Sequence, residues 1–134
     1  MTLAESEPIW VPSTVVQAIH ADQIRQHGGT LGIRDQGLLE SALQRAPNHW
    51  HYEPSADLPL LAALYGIGVA QNHPFLDGNK RTAFQVMYVF LGLNDLRILA
   101  SEAEVVRIML EVANGALGED ALASWLREHT ELRG

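Results

Sequence analysis

The chain has 134 residues, 16 acidic and 9 basic, for a formal net charge of −7, and no cysteine. That length suits one compact domain with its own core. The missing cysteines exclude disulfide scaffolds, cysteine nucleophiles and Cys-ligated metals, and the acidic balance excludes the broad basic footprint of a nonspecific nucleic-acid binder.

The N-terminus, MTLAESEPIWVP, has neither the charged nor the apolar region of a secretory signal, so a soluble cytoplasmic protein is expected. Residues 13–27 have helical spacing, with Val15, Val16, Ile19 and Ile24 on one side, Ser13 as cap and Gly28-Gly29 as stop. Asp35 caps a second helix over about 36–45, carrying Leu38, Leu39 and Leu43, and Pro47 is expected to end it. Residues 46–57, APNHWHYEPSAD, then read as a surface loop or irregular hairpin. Asp57 caps a third helix over about 58–72, with Pro59 in its first turn, where a missing N–H is harmless.

The apolar run of that third helix, LPLLAALYGIGVA (58–70), is 13 residues long, too short for the roughly 20 needed to span a bilayer. Residues 83–93, AFQVMYVFLGL, are similarly apolar, and two helices without a polar face belong in the middle of a bundle. Ser101 and Glu104 form a capping box before VVRIMLEVA, which Gly115 ends. A last helix, about 119–129, offers Leu122, Trp125 and Leu126. At most 96–99, LRIL, forms a short strand, so the fold class is all-α, a single helical bundle over 1–134.

Chemistry is concentrated between the two buried helices, in His73-Pro74-Phe75-Leu76-Asp77-Gly78-Asn79-Lys80-Arg81-Thr82. Pro74 ends the preceding helix at His73. Phe75 and Leu76 can plug the loop into the core, and Gly78 allows close approach by a ligand. The next helix starts at about Asn79, and its unpaired N–H groups with the positive end of the helix dipole make an anion site. Lys80, the only lysine of the chain, and Arg81 add two cations there. Two cations at a helix start conflict with the dipole, and a bound phosphate removes the conflict. His73 at the lip is a candidate general base. Asp77, by itself most often a helix cap, can also hold Mg²⁺ against phosphate oxygens.

The segment HPFLDGNKRTA resembles the signature HxFx(D/E)GNxR of the Fic/Doc family, and most closely its Doc, or death-on-curing, branch. GGTLGIRDQGLLESAL (28–43) and LPLLAALYGIGVAQNHPF (58–75) also look like that branch. The resemblance implies that His73 takes the proton of a target hydroxyl and that Asp77 coordinates metal. It also implies that Phe75, Gly78, Asn79, Lys80 and Arg81 bind nucleotide. AMP-transferring Fic members usually carry glycine where Lys80 stands, and a second arginine where this chain has Phe84. Lysine at that position resembles the Doc-type kinases. The family therefore implies phosphoryl transfer from Mg-ATP to a protein hydroxyl, with elongation factor Tu as target and a small antitoxin as partner. No direct nucleic-acid or membrane partner is expected.

AMP transfer to a protein hydroxyl is the alternative, and a non-catalytic anion or nucleotide-binding module is a third reading from a different class. Gly78-Asn79-Lys80-Arg81-Thr82 lacks the spacing of a P-loop. His49, His51 and Glu53 read as solvated loop residues before they read as metal ligands. The family's flap, which aligns the target peptide, is placed at 46–57 with Trp50 or Tyr52 as contacts. The self-inhibiting motif (S/T)xxxE(G/N) has no match at Ser101, Ser124 or Thr130, so restraint by a partner in trans is expected.

Overall fold

A computed structural model describes residues 6–133. Six helices and a two-stranded ribbon follow in the order α1 (Ser13–His27), α2 (Gln36–Tyr52), α3 (Leu58–Asn72), α4 (Asn79–Leu93), β1 (Leu96–Ile98), α5 (Glu102–Ala113), α6 (Glu119–Glu128) and β2 (Thr130–Leu132). The all-α expectation holds, and the ribbon is the one addition.

The central helix is α3. Residues 61–70 are buried without a break, and α2, α4, α5 and α6 all pack on it. Small residues let the neighbours come close: a Cβ on Gly68 would lie 3.0 Å from the Ala42 carbonyl oxygen of α2. On another side α4 buries Ala83, Val86, Met87, Phe90 and Leu91. Trp10 stacks on Phe90 at 5.8 Å and meets Trp50 edge-on at 6.2 Å. The buried Tyr65 hydroxyl accepts from Val11 N at 3.1 Å, and burial pushes this phenol above its ordinary pKa. No described helix is long and apolar enough to cross a membrane.

Several expected boundaries are met. Asp35 accepts from Leu38 N at 2.9 Å, Asp57 from Leu60 N at 3.1 Å, and Ser101 from Glu104 N at 3.2 Å. Gly28 closes α1 at φ 82°, and Gly115 follows α5 at φ 76°. Four expectations are corrected. Ser13 does not cap α1: the N-cap is Pro12, whose carbonyl accepts from Val15 N and Val16 N, and Ser13 Oγ instead accepts from Gln17.

Pro47 does not end α2, which runs on to Tyr52 and shrinks the expected 46–57 loop to residues 53–57. An interior proline costs roughly 3 kcal/mol. Burial of Ala46 just before that break and the packing of Trp50 against Trp10 just after it offset the cost. The buried stripe of α1 is Val16, His20 and Gln23, while Val15 is exposed. Finally, β1 has an unforeseen antiparallel partner, β2, with Ile98 opposite Thr130. Three residues are too few to show an alternating pattern.

Asp57 carries a second bond besides its cap. Arg127 of α6 grips its carboxylate with Nε at 2.7 Å and Nη2 at 3.1 Å, tying α6 to the start of α3. The Arg127 hydrogen bond holds the Asp57 carboxyl below the usual range, against an opposing push from burial. A lowered carboxylate pKa gives stability that is full above the unfolded value, about 3.9, and fades as pH falls through the folded one. Asp57→Asn keeps a good cap and loses the ion pair. Its urea midpoint should fall at pH 7 by an amount worth up to about 1 kcal/mol, and converge on the parent's toward pH 2. Midpoints measured across pH check this; a gap that persists at pH 2 contradicts it.

Candidate active site

The loop 73–78 joins the two buried helices, and its path is set by a strap of chain, 28–35, that runs beside it. Arg34 N and Asp35 N both donate to Pro74 O, at 2.7 and 3.1 Å, Leu76 N donates to Gly32 O at 3.0 Å, and Ile33 bridges Phe75. The strap makes these approaches because Gly29 and Gly32 take φ of 118° and 138°. At Gly29 a side chain would be strained at this φ, and its Cβ would stand 2.8 Å from Asp77 Oδ2, pushing that carboxylate aside.

His73 is the C-cap of α3, in the left-handed region at φ 49° and ψ 55°. A residue before proline was expected to end the helix, and it does, but it does not extend. Arg34 accounts for this, donating from Nε to His73 O at 2.7 Å and from Nη2 to Asn72 O at 2.8 Å. A guanidinium at a helix C-terminus also satisfies the dipole. The His73 imidazole is left exposed at the mouth of the loop, with no hydrogen bond to the described residues.

Phe75 and Asn79 face inward. The Phe75 ring is 1% exposed and stacks on the His20 ring of α1, so it anchors the loop and offers no surface to a nucleotide. The Asn79 side chain accepts from Phe75 N and donates to Phe75 O, both at 3.0 Å, so its amide is spent on the loop and only its backbone N–H faces a ligand. Both side chains support the loop, and of the two expected nucleotide contacts Asn79 keeps a backbone N–H at the open end of α4.

Asp77, Gly78, Lys80 and Arg81 stand at the surface end of α4. Gly78, at φ 72°, is the N-cap; Asp77 therefore does not cap the helix, and its Oδ1 accepts from the adjacent Gly78 N at 2.9 Å. Thr82 is the first residue of α4 whose N–H has a backbone acceptor, Gly78 O at 3.0 Å, leaving the N–H groups of residues 79–81 for a ligand. Neither Lys80 nor Arg81 has an ion-pair partner among the described residues; Arg81 reaches only Gly28 O, at 3.3 Å. Backbone donors and two cations without an ion-pair partner among the described residues stand in the first turn of one helix, a combination that suits phosphate. From that spot an open groove of about 530 Å³ runs along α4 to α5, past Phe84, Tyr88, Val106 and Leu110.

No three His, Asp or Glu among the described residues cluster to cage a metal alone. Asp77 supplies one exposed carboxylate, with Oδ2 held only by a long 3.3 Å bond from Thr30 N. That donor set fits Mg²⁺ shared with phosphate oxygens, since this ion takes one or two carboxylates and completes its shell with phosphate and water. His49, on α2, and Glu53, its C-cap, lie 3.3 Å apart and gather no third ligand among the described residues. The segment 46–57, expected as a flap, is helical as far as Tyr52. Trp50 is packed on Trp10 in a helix, Tyr52 is 91% exposed at its end, and the segment that pairs with the loop is 28–35.

A helical bundle with such a loop, an open helix N-terminus and two cations between its central helices is the arrangement of the Fic type. The chain belongs to the Fic/DOC family, whose profile matches residues 10–91. It is similar to the protein named protein kinase doc of Escherichia phage P1, 32% identical over 110 residues, covering 82% of this chain and 86% of the relative. It is also similar to toxin Doc of Mycolicibacterium smegmatis, 39% identical over 105 residues, covering 74% of this chain and 78% of the relative.

His20, Arg34 and the Gly29-Thr30 pair escape a sequence reading of the site. They lie 39 to 57 positions from their partners in the loop, and no local pattern signals them.

Proposed function

We propose that this protein is a toxin-type transferase that moves a phosphoryl group from Mg-ATP to a hydroxyl of a protein in the cytoplasm. The observation that carries the reading is the open N-terminus of α4 with unpaired Lys80 and Arg81, one turn of loop from the exposed His73 and Asp77. In this scheme the N–H groups of residues 79–81, Lys80 and Arg81 hold the phosphates and balance their charge. The His73 imidazole accepts the proton of the target hydroxyl, whose oxygen bonds the transferred phosphorus while ADP departs. Asp77 would hold Mg²⁺, which neutralises charge on the phosphate oxygens. The strap 28–35 takes the place of the target-aligning flap, with Leu31 and Leu76, 63% and 53% exposed, as contacts.

The proposed target is a threonine of elongation factor Tu, so that transfer inhibits translation. Restraint comes from a small antitoxin, whose gene is expected beside this one. The names of the two relatives, a kinase and a toxin, support both parts of the reading. Elongation factor Tu incubated with the protein and Mg-ATP should gain a phosphate adduct by mass spectrometry. An AMP adduct would instead assign the chain to nucleotide transfer. Nucleotide binding without an adduct on any of a wide panel of proteins would leave a binding module.

A further inference from the structure

We infer that His20 is a positioning residue for this site, holding the main chain of Asp77 in the orientation that aims its carboxylate. His20 lies on α1, is 2% exposed, and places Nε2 2.8 Å from the Asp77 carbonyl oxygen. A carbonyl only accepts, so Nε2 carries the proton of this bond. The same ring stacks on Phe75 at 3.8 Å with planes 7° apart. One side chain therefore grips the loop's apolar anchor and its polar main chain together. Among the described residues it is the only side chain bonded to the Asp77 backbone.

The carboxylate needs that help. Its own bonds are one to the next residue's N–H and one long bond to Thr30 N, so its direction follows the Asp77 backbone. A stacking partner for Phe75 calls only for an aromatic ring, and phenylalanine would serve without burying a polar group. What the imidazole adds is the donor. Supports one step behind a metal ligand typically change metal affinity by about 10–100-fold when removed. This metal consequence rests on the assignment of Mg²⁺ to Asp77 in the proposed function.

Two substitutions separate the parts. His20→Phe keeps the ring on Phe75 and deletes the donor; His20→Gln keeps a donor and deletes the ring. In His20→Phe, amide hydrogen exchange over residues 76–81 should quicken at least about tenfold, while the middles of α3 and α4 and the melting midpoint stay near the parent's. Mn²⁺ required for half-maximal binding of a non-hydrolysable ATP analogue, measured by calorimetry, should rise about tenfold. His20→Gln should recover most of both. Unchanged loop exchange in His20→Phe, or acceleration spread evenly over α1, α3 and α4, overturns the inference. Asp77→Asn tests the metal assignment separately. If it leaves the Mn²⁺ response intact, that assignment fails, and loop exchange still decides the role of His20.

Discussion

His73→Ala should abolish transfer and toxicity while leaving the fold in place. The imidazole makes no hydrogen bond to the described residues, and the clamp from Arg34 holds the His73 carbonyl, which alanine retains. A positioned base contributes about 10²–10⁴-fold to a rate, and loss of that order is expected in adduct formation. Backbone strain gives a control. A non-glycine residue in the left-handed region costs about 1–2 kcal/mol, and asparagine tolerates it better than most. His73→Asn should therefore be as inactive as His73→Ala and at least as stable. Rates by mass spectrometry, growth of cells expressing each variant, and melting midpoints check the pair. Parental transfer by either variant would end the assignment of His73 as base.

Asn79→Ala should be the most damaging polar substitution in the loop, and it should act on stability and activity together. Its side chain satisfies both backbone groups of Phe75, in a place that is 8% exposed. A buried donor or acceptor left without a partner costs about 1–3 kcal/mol, so a loss of about 2–6 kcal/mol is expected from the two. The loop 75–78 then loses its internal tie, and the Asp77 carboxylate and α4 N–H groups no longer hold their relation. Urea unfolding and adduct formation measured on one preparation test this. A variant with the parent's urea midpoint would mean that the two hydrogen bonds do not hold the loop.

The conspicuous site residues were legible because the loop is contiguous. His73, Asp77, Gly78, Lys80 and Arg81 fall within nine positions, and a helix start following a glycine leaves N–H groups open whatever the tertiary structure. Side-chain direction was not legible in the same way. Phe75 and Asn79 sit in the same run, yet face inward, because one stacks on a ring from α1 and the other turns back on the loop's own backbone. The loop expected at 46–57 was misread for a related reason. Pro47 and the polar run after it read as a loop, and the packing of Ala46 before the proline and Trp50 after it keeps that stretch helical.

By itself, then, the sequence determined the helical class, most caps and the location of the cationic spot, since each depends on residues within a turn of one another. The lone lysine of an acidic chain could be placed beside Arg81 at a helix start without any coordinates. Only the tertiary structure decided what supports that spot. His20, Arg34 and the 28–35 strap reach the loop across 39 to 57 residues of chain, through a few hydrogen bonds and a ring stack. Such contacts arise from how α1 and the strap pack over the loop. Their apolar periodicity is weak, and the buried stripe of α1 includes two polar residues, so no pattern along the chain could announce them.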